Sequence, residues 1–134
     1  MYYCNTKNHF MLKNMFFIAL GGAIGSVLRY LMTVICNIYW TNIFPLATTI
    51  VNVSGCFLLG LIVGYLQKNN LLESNLKWFL VTGICGGFTT FSTFGFENQQ
   101  LLSSQNYLMS MIYIGASIFF GILAVSFGLF VTKL

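Results

Sequence analysis

The stretch Gly83–Phe94, which reads GICGGFTTFSTF, decides the fold of this chain. It lies within Trp78–Phe96, which carries no charged side chain and is long enough to cross a bilayer as a helix. Its centre is unusual for such a helix, because Gly86-Gly87 is a weak helix-forming pair and Thr, Ser and Phe side chains follow it. A break at membrane depth frees backbone carbonyls, which then need protein, water or an ion as a partner. The sequence therefore predicts either an ion or solute site at a break, or a helix-packing notch made by small residues.

The composition of the whole chain indicates an integral membrane protein. Of its 134 residues, 57% are hydrophobic and only 6% are charged, whereas the surface of a soluble domain needs many more charges. The formal net charge of +4 comes from scattered basic residues, which does not predict a nucleic-acid-binding surface. The four cysteines lack metal-ligand spacing and three lie in or beside apolar segments, so neither a disulfide framework nor a zinc site is predicted.

Apolar segments separated by short polar stretches predict an all-α protein with four transmembrane helices. The whole of 1–134 is expected to form a single membrane domain, which begins with a polar tail at 1–14. The third helix is predicted to be broken near Gly86-Gly87. The approximate spans are 15–36, 46–66, 78–96 and 107–132.

Small residues four positions apart predict close contacts between helices, because they let two backbones approach each other. We expect such contacts in the first and second helices. The pairs concerned are Gly21 with Gly25, Gly22 with Ser26, and Gly60 with Gly64.

A few polar side chains lie inside the apolar helices. Arg29 would cost roughly 2.5–3.5 kcal/mol facing lipid, so it is expected either to snorkel to an interface or to line an aqueous vestibule. Asn52 shares one face of the second helix with Thr48, and it serves either as glue between helices or as the lining of a polar path. Tyr113 and Ser117 bring hydroxyl groups to one face of the fourth helix.

The residue types offer nothing from which an enzyme active site could be built. Glu73 and Glu97 are the only carboxylic side chains and His9 is the only histidine, so no acid–base or metal-ligand set is predicted. Glu97 is expected to be an interface residue at the end of the third helix. The chain is therefore predicted not to be an enzyme.

What remains is a pore or carrier built from weak hydrogen-bond donors and aromatic rings. Phe91 and Phe94 are three residues apart and so share a helix face, and their ring edges carry partial positive charge. Such edges, together with hydroxyl and amide donors, suit a small anion. Carbonyls freed at the Gly86-Gly87 break would instead suit a hard cation.

Three motifs follow one another along the chain: GGAIGSVLRY (Gly21–Tyr30), TTIVNVSG (Thr48–Gly55) and GICGGFTTFSTFGFE (Gly83–Glu97). Together they resemble the Fluc family of fluoride channels, also called the CrcB family, across all four predicted helices. The third motif is long and specific. The resemblance implies antiparallel dimers of four-helix subunits, with two pores, that let fluoride leave the cell passively. It also implies a central sodium ion that is structural and is not transported.

The resemblance further implies roles for individual residues. Backbone carbonyls of Gly86 and Thr89 from both subunits would hold the sodium ion, and Arg29 would stand at a vestibule. Gly121 departs from the family pattern, because some members carry a hydroxyl residue there, so part of the polar track is expected to be supplied differently, for example by water. The implied residues of the fluoride path are Thr48, Asn52, Phe91, Phe94, Tyr113 and Ser117.

The basic residues are unevenly distributed about the predicted helices. One side of the membrane would carry Lys7, Lys13, Lys68, Lys77 and Lys133, and the other side only Arg29. By the positive-inside rule, both termini are expected in the cytoplasm, with the chain crossing the plasma or inner membrane several times. A homodimer of dual topology should show little such bias. Two partners within the lipid bilayer therefore stay open: a second copy of the chain, or an oppositely oriented paralogue.

Two other classes of small membrane protein fit the sequence less well. A proton-coupled exporter of the small multidrug type needs a carboxylate in its first helix, and 15–36 contains none. A non-conducting assembly subunit would account for the glycines, but not for the hydroxyl and Phe residues at 89–94. A fluoride channel is therefore the predicted function.

Overall fold

The computed structural model describes residues 2–40 and 42–134, with side chains from Met11 onward. Within these residues the chain is helical apart from short connections and contains no strand, which confirms the all-α prediction. The predictions that involve Lys7, His9 and the first of the four cysteines, Cys4, concern side chains that the structure does not describe. The elements are α1 (Tyr2–Tyr39), α2 (Leu46–Lys68), α3 (Asn75–Lys77), a π-helix (Trp78–Cys85), α4 (Gly86–Phe88), α5 (Phe91–Ser103) and α6 (Tyr107–Val131).

Among the described residues, four helical segments are long and apolar enough to cross a membrane, which confirms the predicted number of spans. The two largest departures from the approximate spans are the start of α1 at Tyr2 and the end of α5 at Ser103, and the other boundaries differ by three residues or fewer. A helix satisfies its own backbone groups and therefore need not end where the apolar sequence ends. The segments are Met11–Tyr39, Leu46–Lys68, Asn75–Ser103 and Tyr107–Val131.

Glycines bring α1 into backbone contact with the third segment. A Cβ atom on Gly25 would collide with the carbonyl oxygen of Ile84, and one on Gly87 would lie 2.6 Å from the carbonyl oxygen of Gly22. The two backbones touch because no side chain stands between them. Gly87 therefore belongs to a packing notch, one of the two alternatives that the sequence predicts for this stretch.

The break in the third segment lies at Thr89-Thr90, directly after the short helix that contains Gly86-Gly87. Thr89 (φ −73°, ψ 158°) and Thr90 (φ −147°, ψ 115°) are extended, which suits β-branched side chains. Thr90 then caps α5, because its side-chain oxygen accepts a hydrogen bond of 3.3 Å from the Thr93 N–H. The break predicted near the glycine pair is therefore present, while both glycines stay helical and Gly87 contributes to the packing notch.

A second close contact joins α2 to α6. A Cβ atom on Gly60 would collide with the carbonyl oxygen of Val125, and one on Gly64 would collide with the Thr132 side chain. Both glycines are buried. This contact holds the fourth span against the second, as the spacing of the two glycines predicts.

Large apolar side chains cover the outside of the molecule, above all on α1 and α6. Tyr30 is 68% exposed, Leu108 73% and Met111 71%. So much exposed apolar surface requires lipid or a partner to cover it. The chain is a multi-pass membrane protein.

Candidate functional site

A polar cavity of about 370 Å³ lies between the C-terminal half of α1, the start of α2 and the face of α5 that follows the break. Arg29 and Glu97 both line it, so the wall carries one positive and one negative side chain. The threonines Thr48, Thr90 and Thr93 add hydroxyl groups to the same wall. We call this cavity the vestibule.

Glu97 is the centre of a hydrogen-bond network that joins three spans. Thr48 Oγ1 donates to Glu97 Oε1 over 2.8 Å, and the Tyr113 hydroxyl donates to Glu97 Oε2 over 2.7 Å. Thr48 and Tyr113 are both buried, at 4% and 0% exposure. Each carboxylate oxygen therefore has a buried donor from a different helix.

Sequence reasoning missed this role and placed Glu97 only at the end of a span. A signal was present, because Glu97 follows Phe94 by three residues and Thr93 by four. Residues so spaced share one face of a helix. The polar and aromatic face of α5 therefore continues to Glu97.

Aromatic rings form a row that leads from the surface of the molecule to this network. The ring centroids of Phe91 and Phe94 are 5.7 Å apart, with an interplanar angle of 37°. The Phe94 ring also lies 4.9 Å from the Tyr113 ring, between centroids. Phe91 is 83% exposed, so the row begins at the outside of the subunit. Ring edges along such a row are weakly positive and can contact an anion.

Asn52 bridges α2 to the break with both ends of its amide. Its Nδ2 donates to the Thr90 carbonyl over 3.0 Å, and its Oδ1 accepts from the Thr90 N–H over 2.7 Å. The Thr90 N–H is a backbone group that the interrupted helix would leave unpaired in a membrane, whereas the Thr90 carbonyl also accepts the first bond of α5 as its N-cap. The half-buried amide therefore acts as glue between helices in this arrangement, and it also lines the groove beside the break.

A groove of about 380 Å³, which we call the break groove, opens on the other side of Thr90. Asn52, Gly86, Thr89 and Phe91 contribute to its wall. Thr90 lines both this groove and the vestibule, so the two spaces lie next to each other. Phe91 thus faces the break groove, whereas Thr48 and Glu97 face the vestibule.

At the break, two backbone N–H groups donate to side chains and not to the carbonyl oxygens that would accept from them in a continuous helix. In a continuous α-helix the N–H of Thr90 would donate to the carbonyl of Gly86, and the N–H of Thr93 to the carbonyl of Thr89. Here the Thr90 N–H donates to Asn52 Oδ1, and the Thr93 N–H donates to the Thr90 side chain. The Gly86 and Thr89 carbonyls, both in residues that line the break groove, therefore lose those partners. Oxygen ligands of this kind suit a hard cation.

Ser117 lies apart from the Glu97 network. Its Oγ is buried and has no hydrogen-bond partner among the described residues. It lines a third groove, of about 420 Å³, together with Cys56 and Gly121. A Cβ atom on Gly121 would lie 3.6 Å from the Cys56 Sγ, so a thiol stands beside the position that lacks a hydroxyl group. Of the residues expected along the path, Ser117 alone lines neither the vestibule nor the break groove and contacts neither ring.

Comparison with known proteins assigns the chain to a family. The family model described as CrcB-like protein, Camphor Resistance (CrcB), matches residues 16–129. A protein of Flavobacterium psychrophilum named fluoride-specific ion channel FluC is 51% identical over 122 residues, covering 91% of this chain and 98% of that protein. A protein of the same name from Azobacteroides pseudotrichonymphae is 46% identical over 123 residues, covering 92% and 98%. Ion channels are transport proteins and not enzymes. The matched regions reach into all four spans, and the chain belongs to the CrcB family.

Proposed function

We propose that this chain forms a fluoride-selective channel that lets fluoride leave the cell passively and so lowers its cytoplasmic concentration. The observation that carries the proposal is the row of rings from Phe91 through Phe94 to Tyr113, which ends at the Glu97 network. The relatives' shared name, fluoride-specific ion channel FluC, supports the choice of anion.

Conduction requires that the path replace the water around a strongly hydrated anion. The ring edges of Phe91 and Phe94 would provide weak positive charge, and the hydroxyls of Thr48 and Tyr113, whose protons go to Glu97, would offset the negative charge of that carboxylate beside the path. The Asn52 amide would extend the donor set beside the break, and the unpaired Ser117 Oγ would add a donor only in the separate third groove. Arg29 in the vestibule wall would raise the local concentration of anions, as a positive charge in a cleft does.

A single subunit does not enclose this path. Phe91 is 83% exposed, and the break groove opens at the surface of the subunit. A partner in the membrane would close both and shield the rings from lipid. We propose an antiparallel dimer, in which the partner is a second copy of this chain or an oppositely oriented paralogue.

A sodium ion at the dimer centre fits the break. The carbonyls of Gly86 and Thr89 have lost their helical donors, and oxygen atoms are the ligands a hard cation prefers. The same carbonyls of the partner would complete the site. A bound sodium ion would supply fixed positive charge that holds the two breaks together, and it would not be transported. Fluoride efflux should then fall when sodium is replaced by N-methyl-D-glucamine on both sides of the membrane; an unchanged rate would argue against the ion.

The orientation of the subunit follows from its lysines. Lys13, Lys68, Lys77 and Lys133 would share one side of the membrane with both termini, and Arg29 would lie toward the other. We propose that the termini are cytoplasmic. The test is the accessibility, in intact cells, of a single cysteine in the N-terminal tail of an otherwise cysteine-free variant. Labelling from the cytoplasm alone would favour an inverted paralogue as partner, whereas near-equal labelling from both sides would show a dual-topology homodimer.

Growth of a bacterium that lacks its own fluoride channel tests the function. Expression of the chain should restore growth in fluoride, and a Phe91→Ile variant present in the membrane at the same level should not. Restored growth in cationic drugs but not in fluoride would instead indicate a multidrug exporter. Absence of any rescue, with or without an inverted paralogue, would indicate a non-conducting assembly subunit.

A further inference from the structure

Two hydrogen bonds between side chains join α5 to α6 in the part of the chain whose side chains are described. One is the contact between Tyr113 and Glu97 at the vestibule. In the other, Ser110 Oγ donates to Asn98 Oδ1 over 2.9 Å. This second bond is inaccessible to water, because Ser110 is 1% exposed and Asn98 is 7% exposed.

The orientation of the Asn98 amide is determined by its other partner. Asn98 Nδ2 donates to the carbonyl of Phe94 over 2.8 Å. A carbonyl oxygen can only accept, so the nitrogen must face Phe94 and the oxygen must face Ser110. The Ser110 hydroxyl is therefore the donor that satisfies Asn98 Oδ1. Removal of this hydroxyl would leave a buried acceptor without a partner, which is unfavourable.

The two hydrogen bonds are neighbouring links between the same pair of helices. Asn98 directly follows Glu97 on α5, and Ser110 precedes Tyr113 by three residues, on the same face of α6. The helices are joined by a short connection, 104–106, and so run antiparallel. A shift or rotation of α5 against α6 that breaks one link would therefore strain the other.

We propose that Asn98 and Ser110 are positioning residues of the anion path. Their buried bond fixes α5 against α6 and thereby keeps Glu97 within reach of the Tyr113 hydroxyl. Without it, one oxygen of the Glu97 carboxylate loses its donor and presents more negative charge to the path, which repels an anion. This inference rests on the proposed function, since the property that it explains is fluoride conduction.

The test compares initial rates of fluoride efflux from liposomes, normalised to the amount of reconstituted protein. Only protein that elutes as a single species from a size-exclusion column in detergent is used. The Ser110→Ala variant should conduct about tenfold more slowly than the unmodified chain. Ser110→Thr, which restores the hydroxyl, should conduct near the unmodified rate. The matched control is Ser54→Ala, because the Ser54 hydroxyl donates only within its own helix, to the Ile50 carbonyl over 2.6 Å and the Val51 carbonyl over 3.2 Å. This control should leave the rate unchanged.

A double variant separates positioning from a general structural role. If Ser110 acts through Tyr113, then Ser110→Ala should slow efflux no further in a Tyr113→Phe background. The inference would be overturned if Ser110→Ala slowed efflux by the same factor in the Tyr113→Phe background as in the unmodified chain, or if Ser110→Ala alone left the rate unchanged. Either result would leave the proposed function intact.

If Ser110→Ala does not elute as a single species, Ser110→Cys takes its place in the single and double variants, because it keeps the volume with a weaker donor. Its rate should lie between those of the threonine variant and Tyr113→Phe, and a rate equal to the unmodified one would also overturn the inference. Absence of efflux from the unmodified chain, even when an inverted paralogue is reconstituted with it, would instead contradict the proposed function itself.

Discussion

The hydroxyl of Tyr113 and the Oε2 atom of Glu97 are 2.7 Å apart, which ties the first half of α6 to α5 at the wall of the vestibule. Thr48 binds the other carboxylate oxygen from α2. A carboxylate beside an anion path would ordinarily repel the anion. Here its charge is met by two buried donors, and Arg29 lines the same cavity.

Removal of one hydrogen-bond donor from the Glu97 carboxylate should therefore slow fluoride efflux. In a Thr48→Val variant, Glu97 Oε1 has no donor, and we expect fluoride efflux from liposomes to fall about tenfold. Thr49→Val is a closely matched control, because the Thr49 hydroxyl donates to the Pro45 carbonyl over 3.0 Å and stays outside the network. Equal rates for the two valine variants would argue against the network.

The Asn52 amide should stabilise the folded protein in addition to lining the proposed fluoride path. Asn52→Ala leaves the N–H of Thr90 without a partner and removes one of the bonds to its carbonyl, and we expect the free energy of unfolding in detergent to fall by about 1–3 kcal/mol. In Asn69→Ala the loss should be below about 1 kcal/mol, because the Asn69 bond to the Tyr65 carbonyl is exposed. If denaturation curves gave similar losses of unfolding free energy for the two variants, the hydrogen bonds of Asn52 to Thr90 would not stabilise the break.

Substitutions of two glycines should have effects of opposite sign. In Gly25→Ala the new methyl group would collide with the Ile84 carbonyl, and overpacking of this kind costs about 1–3 kcal/mol. At Gly115 nothing lies within 4 Å of an added Cβ, so Gly115→Ala should stabilise α6 by about 0.5–1 kcal/mol. Thermal unfolding in one detergent measures both. A Gly25→Ala variant as stable as the unmodified chain would contradict the close contact between α1 and the third segment.

Much of the fold was predictable from the sequence, because a membrane imposes simple requirements on a chain. Apolar length predicted the four spans, and the spacing of Gly60 and Gly64 predicted the contact between α2 and α6. The break was predicted near Gly86-Gly87 and lies a few residues later. Its position at Thr89-Thr90 depends on Asn52, which is distant in sequence and supplies the hydrogen bonds that an extended backbone needs.

The Glu97 network was less accessible to sequence reasoning. Thr48, Glu97 and Tyr113 lie on three different spans, and no periodicity within one helix brings them together. The position of Glu97 after an apolar run suggested only an interface. The network becomes apparent once α5 continues to Ser103, so that Glu97 lies within a helix and not at its end.

The most direct test of the account is ion efflux from liposomes that contain the purified chain, followed with fluoride and chloride electrodes side by side. We expect rapid loss of fluoride without loss of chloride, and we expect Phe91→Ile to abolish the fluoride signal while the variant still reconstitutes. Equal loss of both ions, or no fluoride loss even when an inverted paralogue is reconstituted with the chain, would contradict the proposal of a fluoride-selective channel.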